Sequence, residues 1–293
     1  MFAGTHTAIV TPFRNGQVDE EGLRKVIDLQ FVSGVQGIVP CGTTGESPTL
    51  NHEEHERVIR RAVEFAAGRG LVIAGTGSNS THEAIEMTQQ AEAAGAQASL
   101  QVAPYYNKPT QEGLFRHFKA IAQSTKLPLM LYSIPGRCGV EIGLDTLVRL
   151  AGACANIRCI KEAGGNADRV SLMKQELPAG FEILSGDDSL TLPFMSVGAV
   201  GVVSVAGNLI PREMSHLVQA GLRGKWDEAR RVHDKFYPLF AAFLKLATNP
   251  IPIKTAMSLK GICDVELRLP MCEMNEAQVA ELRDTMKGLG LLG

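Results

Sequence analysis

The chain has 293 residues, of which 45% are hydrophobic and 20% are charged, and its formal net charge is −2 at pH 7. This composition indicates a soluble globular protein with a large core, and the small charge excludes a general attraction to nucleic acid or anionic membranes. No apolar run approaches the ~20 residues that a membrane-spanning helix needs, and the N-terminus does not have the layout of a signal peptide.

Apolar, β-branched runs recur along the chain in units of ~30 residues, each followed by a loop with glycine or proline and by an amphipathic helix. Several runs are apolar throughout, as expected for parallel strands that are covered on both faces. The predicted strands are residues 5–12, 37–41, 71–75, 98–104, 129–134, 157–161, 182–185 and 201–205.

Amphipathic segments between these strands predict the helices. Asn51 and Thr81 are predicted N-caps, and Glu54 stands three positions after Asn51, which predicts a capping box. The clearest helices are residues 20–31, 51–67, 81–94 and 111–124, and the weaker ones are residues 145–150, 169–176 and 190–197.

The strand pattern disappears after residue 224, and only helical patterns follow, at residues 226–246, 250–259 and 275–286. Pro250 and Pro252 suit the first turn of a helix, where a missing N–H group is harmless. Eight alternating strands and helices predict an α/β protein with a (β/α)8 TIM barrel at residues 1–224 and a C-terminal helical domain at residues 225–293. An open doubly wound sheet is the alternative fold.

Cysteine and histidine usage bears on disulfides and metals. The six cysteines form no C-x-x-C pair, which favours free thiols in a reducing cytoplasm over a disulfide framework. His52 and His55 are three positions apart and therefore do not match the H-E-x-x-H zinc motif, so we expect a polar first helical turn and no metal site.

Lys161 stands at the carboxyl end of a predicted strand, which is where barrel enzymes carry their chemistry. Desolvation disfavours the ammonium form of a lysine, and the neutral amine attacks carbonyl groups to form a Schiff base. Many lysines at strand ends instead reach solvent with their head group. The position alone therefore leaves both interpretations open.

Other strand ends supply polar groups as well. The motif Gly42-Thr43-Thr44-Gly45 presents backbone N–H groups and hydroxyls that suit a small carboxylate, or it is an ordinary loop whose threonine caps the next helix. Tyr132, on the strand next to Lys161, either transfers protons or only packs. Arg137 either holds a carboxylate in its planar fork or lies at the surface.

Two classes of ligand are disfavoured. The segment Gly75-Thr76-Gly77 lacks the third glycine of the dinucleotide-binding fingerprint. Barrel enzymes that act on phosphorylated sugars bind phosphate after strands seven and eight, where this chain has Asp187 and Asp188. Two carboxylates at that place would repel a phosphate dianion.

Three motifs, GTTGE at residues 42–46, YSIPGR at 132–137 and IKE at 160–162, resemble in their order and spacing the dihydrodipicolinate synthase family. This family is the lysine-biosynthetic branch of the pyruvate-dependent class I aldolase superfamily, which also contains N-acetylneuraminate lyase. The resemblance runs essentially end to end and includes APYYNKP at residues 103–109, SGDD at 185–188 and NPIP at 249–252.

The resemblance implies a role for each matching residue. Lys161 forms a Schiff base with pyruvate, and Tyr132 shuttles protons through Thr44 to Tyr106, which serves the site of the neighbouring subunit. The carboxylate of pyruvate is held by the loop of Thr43 and Thr44. The remaining implied contacts are Arg137 with the carboxylate of aspartate semialdehyde, and Gly186 and Val203 at the border of the pocket.

The resemblance also implies a product, an assembly and a competing activity. The product is 4-hydroxytetrahydrodipicolinate, the assembly is a homotetramer built as a dimer of dimers, and no cofactor is needed beyond the covalent pyruvate imine. Arg137 favours a short aldehyde with a carboxylate over the neutral sugar of neuraminate lyases. A related sugar-acid aldolase is the second hypothesis, and a non-catalytic barrel that only binds lysine or a keto acid is the third.

Feedback inhibition by lysine is a further expectation from the resemblance, with a solvated crevice between subunits as the alternative. Glu83 would pair with the ligand's ammonium group, while Asn79 and Tyr105 would bond its amino-acid backbone. The six residues that match the inhibitory site, here named the regulatory cluster, are Ser47, His52, His55, Asn79, Glu83 and Tyr105. The chain departs from common family residues at Pro48, Ser133, Cys138 and Thr248.

Overall fold

A computed structural model describes all 293 residues, and its strands form one closed barrel and one small hairpin. The barrel is parallel, with neighbours in the order β1-β10-β9-β8-β7-β6-β5-β4 and with β4 pairing back to β1. The ten strands are β1 (Gly4–Ala8), β2 (Phe13–Arg14), β3 (Gln17–Val18), β4 (Gly37–Val39), β5 (Leu71–Gly75), β6 (Ala98–Val102), β7 (Leu129–Ser133), β8 (Ile157–Glu162), β9 (Glu182–Ser185) and β10 (Gly201–Ser204). The predicted (β/α)8 barrel is confirmed, and the open doubly wound sheet is wrong.

Twelve α-helices cover the barrel and extend beyond it. They are α1 (Glu20–Val32), α2 (His52–Ala66), α3 (Thr81–Ala93), α4 (Gln111–Gln123), α5 (Pro135–Cys138), α6 (Leu144–Ala153), α7 (Ala167–Glu176), α8 (Thr191–Ser196), α9 (Pro211–Leu222), α10 (Trp226–Lys245), α11 (Ile251–Leu259) and α12 (Glu276–Gly288). Two short 3-10 helices follow strand ends, at Ser47–Thr49 and Ala206–Asn208.

Helix ends confirm one predicted cap and correct another. The Asn51 side chain accepts from the backbone N–H of Glu54, whose carboxylate accepts from the Asn51 N–H, so the predicted capping box is present. Thr81 is wrong as the N-cap of α3, because the Ser80 hydroxyl takes that role and accepts from the Glu83 N–H. Ser80 adopts the extended backbone that an N-cap needs.

Three elements were not predicted: the β2–β3 hairpin, the single turn of α5 and the helix α9. In α9 the buried residues Met214, Leu217, Val218 and Gly221 follow helical spacing, so the signal was present in the sequence. The predicted first strand also runs too long, because β1 ends at Ala8.

Apolar side chains fill both the barrel interior and the layer between the barrel and its helices. The largest hydrophobic cluster joins barrel residues such as Ile9 and Val58 to Phe240, Met257 and Leu282 of the C-terminal helices. Helices α10, α11 and α12 therefore share a core with the barrel. The predicted domain boundary after residue 224 stays a prediction.

Candidate active site

Lys161 lies at the carboxyl end of β8 and is aligned with Tyr132 of the neighbouring strand β7. Only 5% of the residue is exposed, and its Nζ lies 4.1 Å from the centroid of the Tyr132 ring. The Nζ of Lys161 forms no ion pair and no hydrogen bond within the chain. Its amine is therefore buried without a partner that would hold it in the charged form.

Burial is the main reason why the pKa of Lys161 falls to about 8. The nearby carboxylates of Asp188 and Asp187 raise the pKa of this amine, whereas the positive charge of Arg137 lowers it. With this pKa, on the order of a tenth of Lys161 is neutral at pH 7. Neutral amines are the form that attacks carbonyl carbon.

Gly186, at the end of β9, leaves the space that the Lys161 side chain occupies. A Cβ at this position would come within 3.1 Å of the Lys161 Cε and 2.7 Å of the Ala163 Cβ. The Gly186 N–H donates to the Glu162 carbonyl at 2.8 Å, which fixes the backbone beside β8. Val203 of β10 is fully buried in the interior cluster that also contains Tyr132.

Asp188 holds the end of the neighbouring strand β10 and was not predicted as a site residue. Its carboxylate accepts hydrogen bonds from the Ser204 hydroxyl and from the N–H groups of Val205 and Ala206. Burial nevertheless raises the pKa of Asp188 to about 6. The sequence placed this residue at a strand end, but only the fold shows that its charge acts on Lys161.

Tyr132 is 5% exposed, and burial raises the pKa of its phenol. The positive charge of Arg137 and a hydrogen bond with the Thr43 side chain both act in the opposite direction and lower this pKa. The hydroxyl of Thr44, in contrast, accepts a hydrogen bond from the side-chain amide of Asn249 at 3.0 Å. The threonine hydroxyl beside the phenol is therefore that of Thr43.

Residues 42–46, named here the threonine loop, form a tight turn after β4. The N–H of Gly45 and that of Ser47 donate to the Gly42 carbonyl, at 3.1 Å and 3.4 Å, while the N–H of Glu46 donates to the Thr43 carbonyl at 3.1 Å. The N–H groups of Thr43 and Thr44 donate to no acceptor within the chain. Two free backbone donors in succession suit a bound carboxylate.

Arg137 lies in the single turn of α5, directly after β7. Its guanidinium donates to the carbonyl oxygen of Asn249 at 3.0 Å, but it forms no ion pair with any carboxylate of the chain. The planar fork therefore keeps donors for an anionic ligand. Asn249 thus contacts both Arg137 and Thr44, a role that was not predicted, although the NPIP motif marked its position.

One open cavity of about 460 Å³ connects two of the predicted substrate-binding residues, Thr43 and Arg137, with the regulatory cluster. Its walls include Thr43, Tyr132 and Arg137 together with five of the six cluster residues, namely Ser47, His52, His55, Glu83 and Tyr105. The sixth, Asn79, donates from its side-chain amide to the Tyr105 carbonyl at 3.1 Å. Pro48 and Cys138, two of the departures from the family pattern, also line this cavity.

Within the regulatory cluster, the side chains of His55 and Glu83 already have partners. The His55 Nε2 lies 2.8 Å from the Gly75 carbonyl, and burial lowers the pKa of this imidazole. Glu83 accepts a hydrogen bond from the Ser78 hydroxyl and lies 3.6 Å from the Nε2 of His52. A cationic ligand would add to these contacts of Glu83 at the cavity wall.

Tyr106 does not line this cavity, and neither do Lys161, Thr44, Gly186 and Val203. Tyr106 is 90% exposed and has a φ of +72°, a backbone conformation that is uncommon for a residue with a side chain.

No group of three His, Cys, Asp or Glu side chains is placed to hold a metal ion. No helix is long and apolar enough to cross a membrane.

Residues 1–289 match the model of the dihydrodipicolinate synthetase family. The 4-hydroxy-tetrahydrodipicolinate synthase of Aquifex aeolicus is 50% identical over 291 residues, which are 99% of each chain. The solved structure of the 4-hydroxy-tetrahydrodipicolinate synthase from Methylacidiphilum fumariolicum is 53% identical with a TM-score of 0.97, covering 99% of this chain and 96% of that one.

Two further solved structures carry ligands that their names identify. The chloride-inhibited dihydrodipicolinate synthase of Acinetobacter baumannii, complexed with pyruvate, is 41% identical with a TM-score of 0.97 over 100% of both chains. The enzyme of Cyanidioschyzon merolae with lysine bound is 40% identical with a TM-score of 0.96 over 99% of both chains. Full-length matches of sequence and fold agree with the motifs, and the chain belongs to the dihydrodipicolinate synthetase family.

Proposed function

We propose that this protein condenses pyruvate with L-aspartate 4-semialdehyde to give 4-hydroxy-tetrahydrodipicolinate, the first committed step of diaminopimelate and lysine biosynthesis. The observation that carries the proposal is the buried, unpaired amine of Lys161 beside Tyr132. Such an amine is a carbonyl nucleophile near neutral pH. The relatives that match over their full length are named for this activity.

The first stage is formation of an imine between Lys161 and pyruvate. The neutral amine adds to the C2 carbonyl, the resulting oxyanion takes a proton, and water then leaves as the imine forms. The N–H groups of Thr43 and Thr44 hold the pyruvate carboxylate during these steps, since they have no acceptor within the chain. No cofactor takes part in this proposal.

Tyr132 transfers the protons of imine formation, and its partner in the relay is Thr43. This assignment replaces Thr44, whose hydroxyl already accepts from the Asn249 amide. A phenol whose pKa is raised by burial gives up its proton only with help from neighbours. The positive charge of Arg137 and the Thr43 hydroxyl supply that help.

The second stage forms the carbon–carbon bond and the ring. Loss of a proton from C3 of the imine gives an enamine, which attacks the aldehyde carbon of the second substrate and leaves a hydroxyl there. The amine of this substrate then attacks the imine carbon and displaces Lys161 as the free amine. Arg137 holds the carboxylate of the second substrate, because its guanidinium faces the cavity without an ion pair.

Trapping of the imine tests the proposal directly. Pyruvate with borohydride should add a stable mass to the peptide that contains Lys161 and leave the peptide of Lys254 unmodified, because Lys254 is ion-paired. An unlabelled protein, or one labelled at Lys254, would contradict the mechanism. Turnover with aspartate semialdehyde and not with sugar aldehydes then distinguishes this enzyme from a sugar-acid aldolase, the second hypothesis.

Lysine is the proposed feedback inhibitor, bound at the regulatory cluster. The shared cavity supports this, and so does the lysine-bound relative of C. merolae. Glu83 would take the ligand's ammonium group, so Glu83→Gln should remove inhibition while basal turnover stays. If millimolar lysine neither slows turnover nor gives heat in calorimetry, the regulatory site does not exist.

The proposed assembly is a cytoplasmic homotetramer, a dimer of dimers in which Tyr106 of one subunit completes the proton relay of its neighbour. The exposure of Tyr106 in the single chain supports this arrangement, because an aromatic side chain that is 90% exposed lacks a packing partner. Sedimentation of the wild type and of Tyr106→Phe would measure the assembly, and the activity of Tyr106→Phe would measure the relay.

A further inference from the structure

The C-terminal helices contact the threonine loop at two points outside the Lys161 pocket. Glu46, the last residue of the loop, forms an ion pair of 2.5 Å with Lys254, and the two side chains are 2% and 0% exposed. At the middle of the loop, the Thr44 hydroxyl accepts from the Asn249 amide. Asn249 and Lys254 are both at the start of α11, so one short segment holds both parts of the loop.

The backbone of the loop indicates that the Glu46 side chain is needed where it is. Glu46 has a φ of +55°, a left-handed conformation that glycine adopts with less strain. The preceding Gly45 is tightly enclosed, because a Cβ there would lie 3.1 Å from the Cys41 nitrogen and 3.2 Å from the Ile9 carbonyl oxygen. The loop therefore turns at a fixed place. The residue after the turn is a glutamate, although its backbone conformation would suit a glycine better.

Both members of the ion pair have further partners in the protein. Lys254 also donates to the Glu266 carbonyl at 2.8 Å, and its Nζ lies 4.2 Å from the centroid of the Phe13 ring. The Glu46 carboxylate accepts from the backbone N–H of Arg268 at 3.1 Å. Phe13 belongs to the β2–β3 hairpin, so four separate segments meet at this pair: the threonine loop, the hairpin, α11 and residues 266–268.

Arg268 closes the same cluster on its outer side. Its guanidinium lies 4.4 Å from the Phe13 ring centroid and makes two hydrogen bonds with Glu54, at 2.7 Å and 2.6 Å. It also donates to the Thr49 carbonyl at 2.8 Å, just beyond the threonine loop. Glu54 in turn caps α2, so the first helix after the loop is held by the same C-terminal residues.

Energetics separate a stabilising role from a positioning role. A buried ion pair gains little net stability over an apolar pair of the same shape, because its attraction only offsets the cost of desolvation. What it does provide is one fixed geometry for the groups that carry the charges. In this chain Glu46 follows Thr43 and Thr44 by three and two positions in the same loop, and the backbone N–H groups of those two threonines are free to bind the pyruvate carboxylate.

We propose that Lys254 is a positioning residue for pyruvate binding, acting through Glu46 to fix the Thr43 and Thr44 N–H groups of the threonine loop. The inference rests on the proposed function and deepens it by assigning a C-terminal residue to substrate affinity. A loop that holds the carboxylate equally in the ground state and in the transition state affects KM and leaves kcat unchanged. A change confined to the KM for pyruvate is therefore the signature of this role.

The test is the double variant Glu46→Gln/Lys254→Met, which removes both charges and replaces each side chain by an uncharged one of similar size. Its thermal midpoint should stay close to that of the wild type. The KM for pyruvate should rise about tenfold while kcat changes by less than about twofold. The matched control is Lys245→Met/Glu281→Gln, which removes an exposed pair of 2.8 Å in the same C-terminal region and should leave KM unchanged.

A folded double variant with the wild-type KM for pyruvate overturns the inference. A fall of about tenfold in kcat with KM unchanged overturns it as well. The proposed function fails separately, if pyruvate and borohydride do not label Lys161 of the wild type. Should the double variant not fold, Glu46→Gln alone is measured, because the remaining buried lysine can lose its proton. The same rise in KM is expected from that variant, and its absence is equally decisive.

Discussion

Lys161 and Lys254 are the two buried lysines of the chain, and each has its Nζ beside an aromatic ring, at 4.1 Å from the Tyr132 centroid and 4.2 Å from that of Phe13. Burial lowers the pKa of both amines. They differ in their partners. Lys254 has the carboxylate of Glu46 at 2.5 Å, whereas Lys161 has no ion pair.

The comparison teaches that burial alone does not make a lysine reactive. A carboxylate in contact restores the charged form, and an ammonium group has no lone pair with which to attack a carbonyl. Around Lys161 the nearest carboxylates act only at a distance, and the charge of Arg137 opposes them. The presence of a carboxylate in contact therefore distinguishes Lys254, a structural cation, from Lys161, a nucleophile.

Removing the Lys161 amine should give the largest effect. Lys161→Met should lower kcat by on the order of 10⁴-fold or more, because loss of a covalent nucleophile removes the reaction path itself. Borohydride trapping with pyruvate should disappear as well. The control is the surface variant Lys245→Met, which makes the same substitution at an exposed lysine and should turn over normally.

Lys161→Met should raise the stability of the folded protein at pH 7, although it abolishes turnover. With a native pKa of about 8 against the ordinary lysine pKa of 10.5, the unfolded chain binds more protons than the native state between these two pH values. The stability of the wild type therefore rises with pH through that window. Below it the buried amine costs about 3 kcal/mol, so Lys161→Met should unfold at a higher temperature at pH 7, and this advantage should shrink towards pH 10.5.

Lys254→Met, in contrast to Lys161→Met, should lower the stability of the folded protein. It leaves the Glu46 carboxylate buried without its cation, which costs about 3–5 kcal/mol in comparable sites. Urea denaturation should show this loss, and Glu46→Gln/Lys254→Met should recover most of it. Equal stability of Lys254→Met and the wild type would mean that the 2.5 Å pair is not formed in solution.

Arg137→Leu should impair use of the second substrate and spare imine formation at Lys161. We expect kcat/KM for aspartate semialdehyde to fall by about 10²-fold, as for loss of a charged partner of a carboxylate, while pyruvate still labels Lys161. Steady-state kinetics with the second substrate and borohydride trapping without it separate the two effects. A similar loss for pyruvate labelling would assign Arg137 to the first substrate instead.

The two lysines also show how far the sequence reaches. Lys161 was predictable, because the end of an apolar run is the end of a barrel strand, and the barrel follows from local periodicity. The pair of Glu46 and Lys254 was not, since the partners lie on distant segments and no local pattern links them. For the same reason the sequence, which assigned the relay to Thr44, did not show that the Thr44 hydroxyl accepts from the distant Asn249.

Asp188→Asn should give the smallest change, a shift in the pH dependence of trapping. The rate of labelling by pyruvate should rise with pH as the Lys161 amine loses its proton, with a midpoint near its pKa of about 8. The Asp188 carboxylate raises this pKa, so the variant should move the midpoint to lower pH, by less than about one unit. Asparagine keeps one oxygen acceptor, which can serve the N–H groups of Val205 and Ala206, while its NH2 group can donate to the Ser204 hydroxyl. Arg137→Leu, measured in the same way, should move the midpoint to higher pH, because the guanidinium lowers the same pKa. Shifts of opposite sign from the two variants would establish that charges at a distance set the reactivity of Lys161, and a common direction would show that altered packing does.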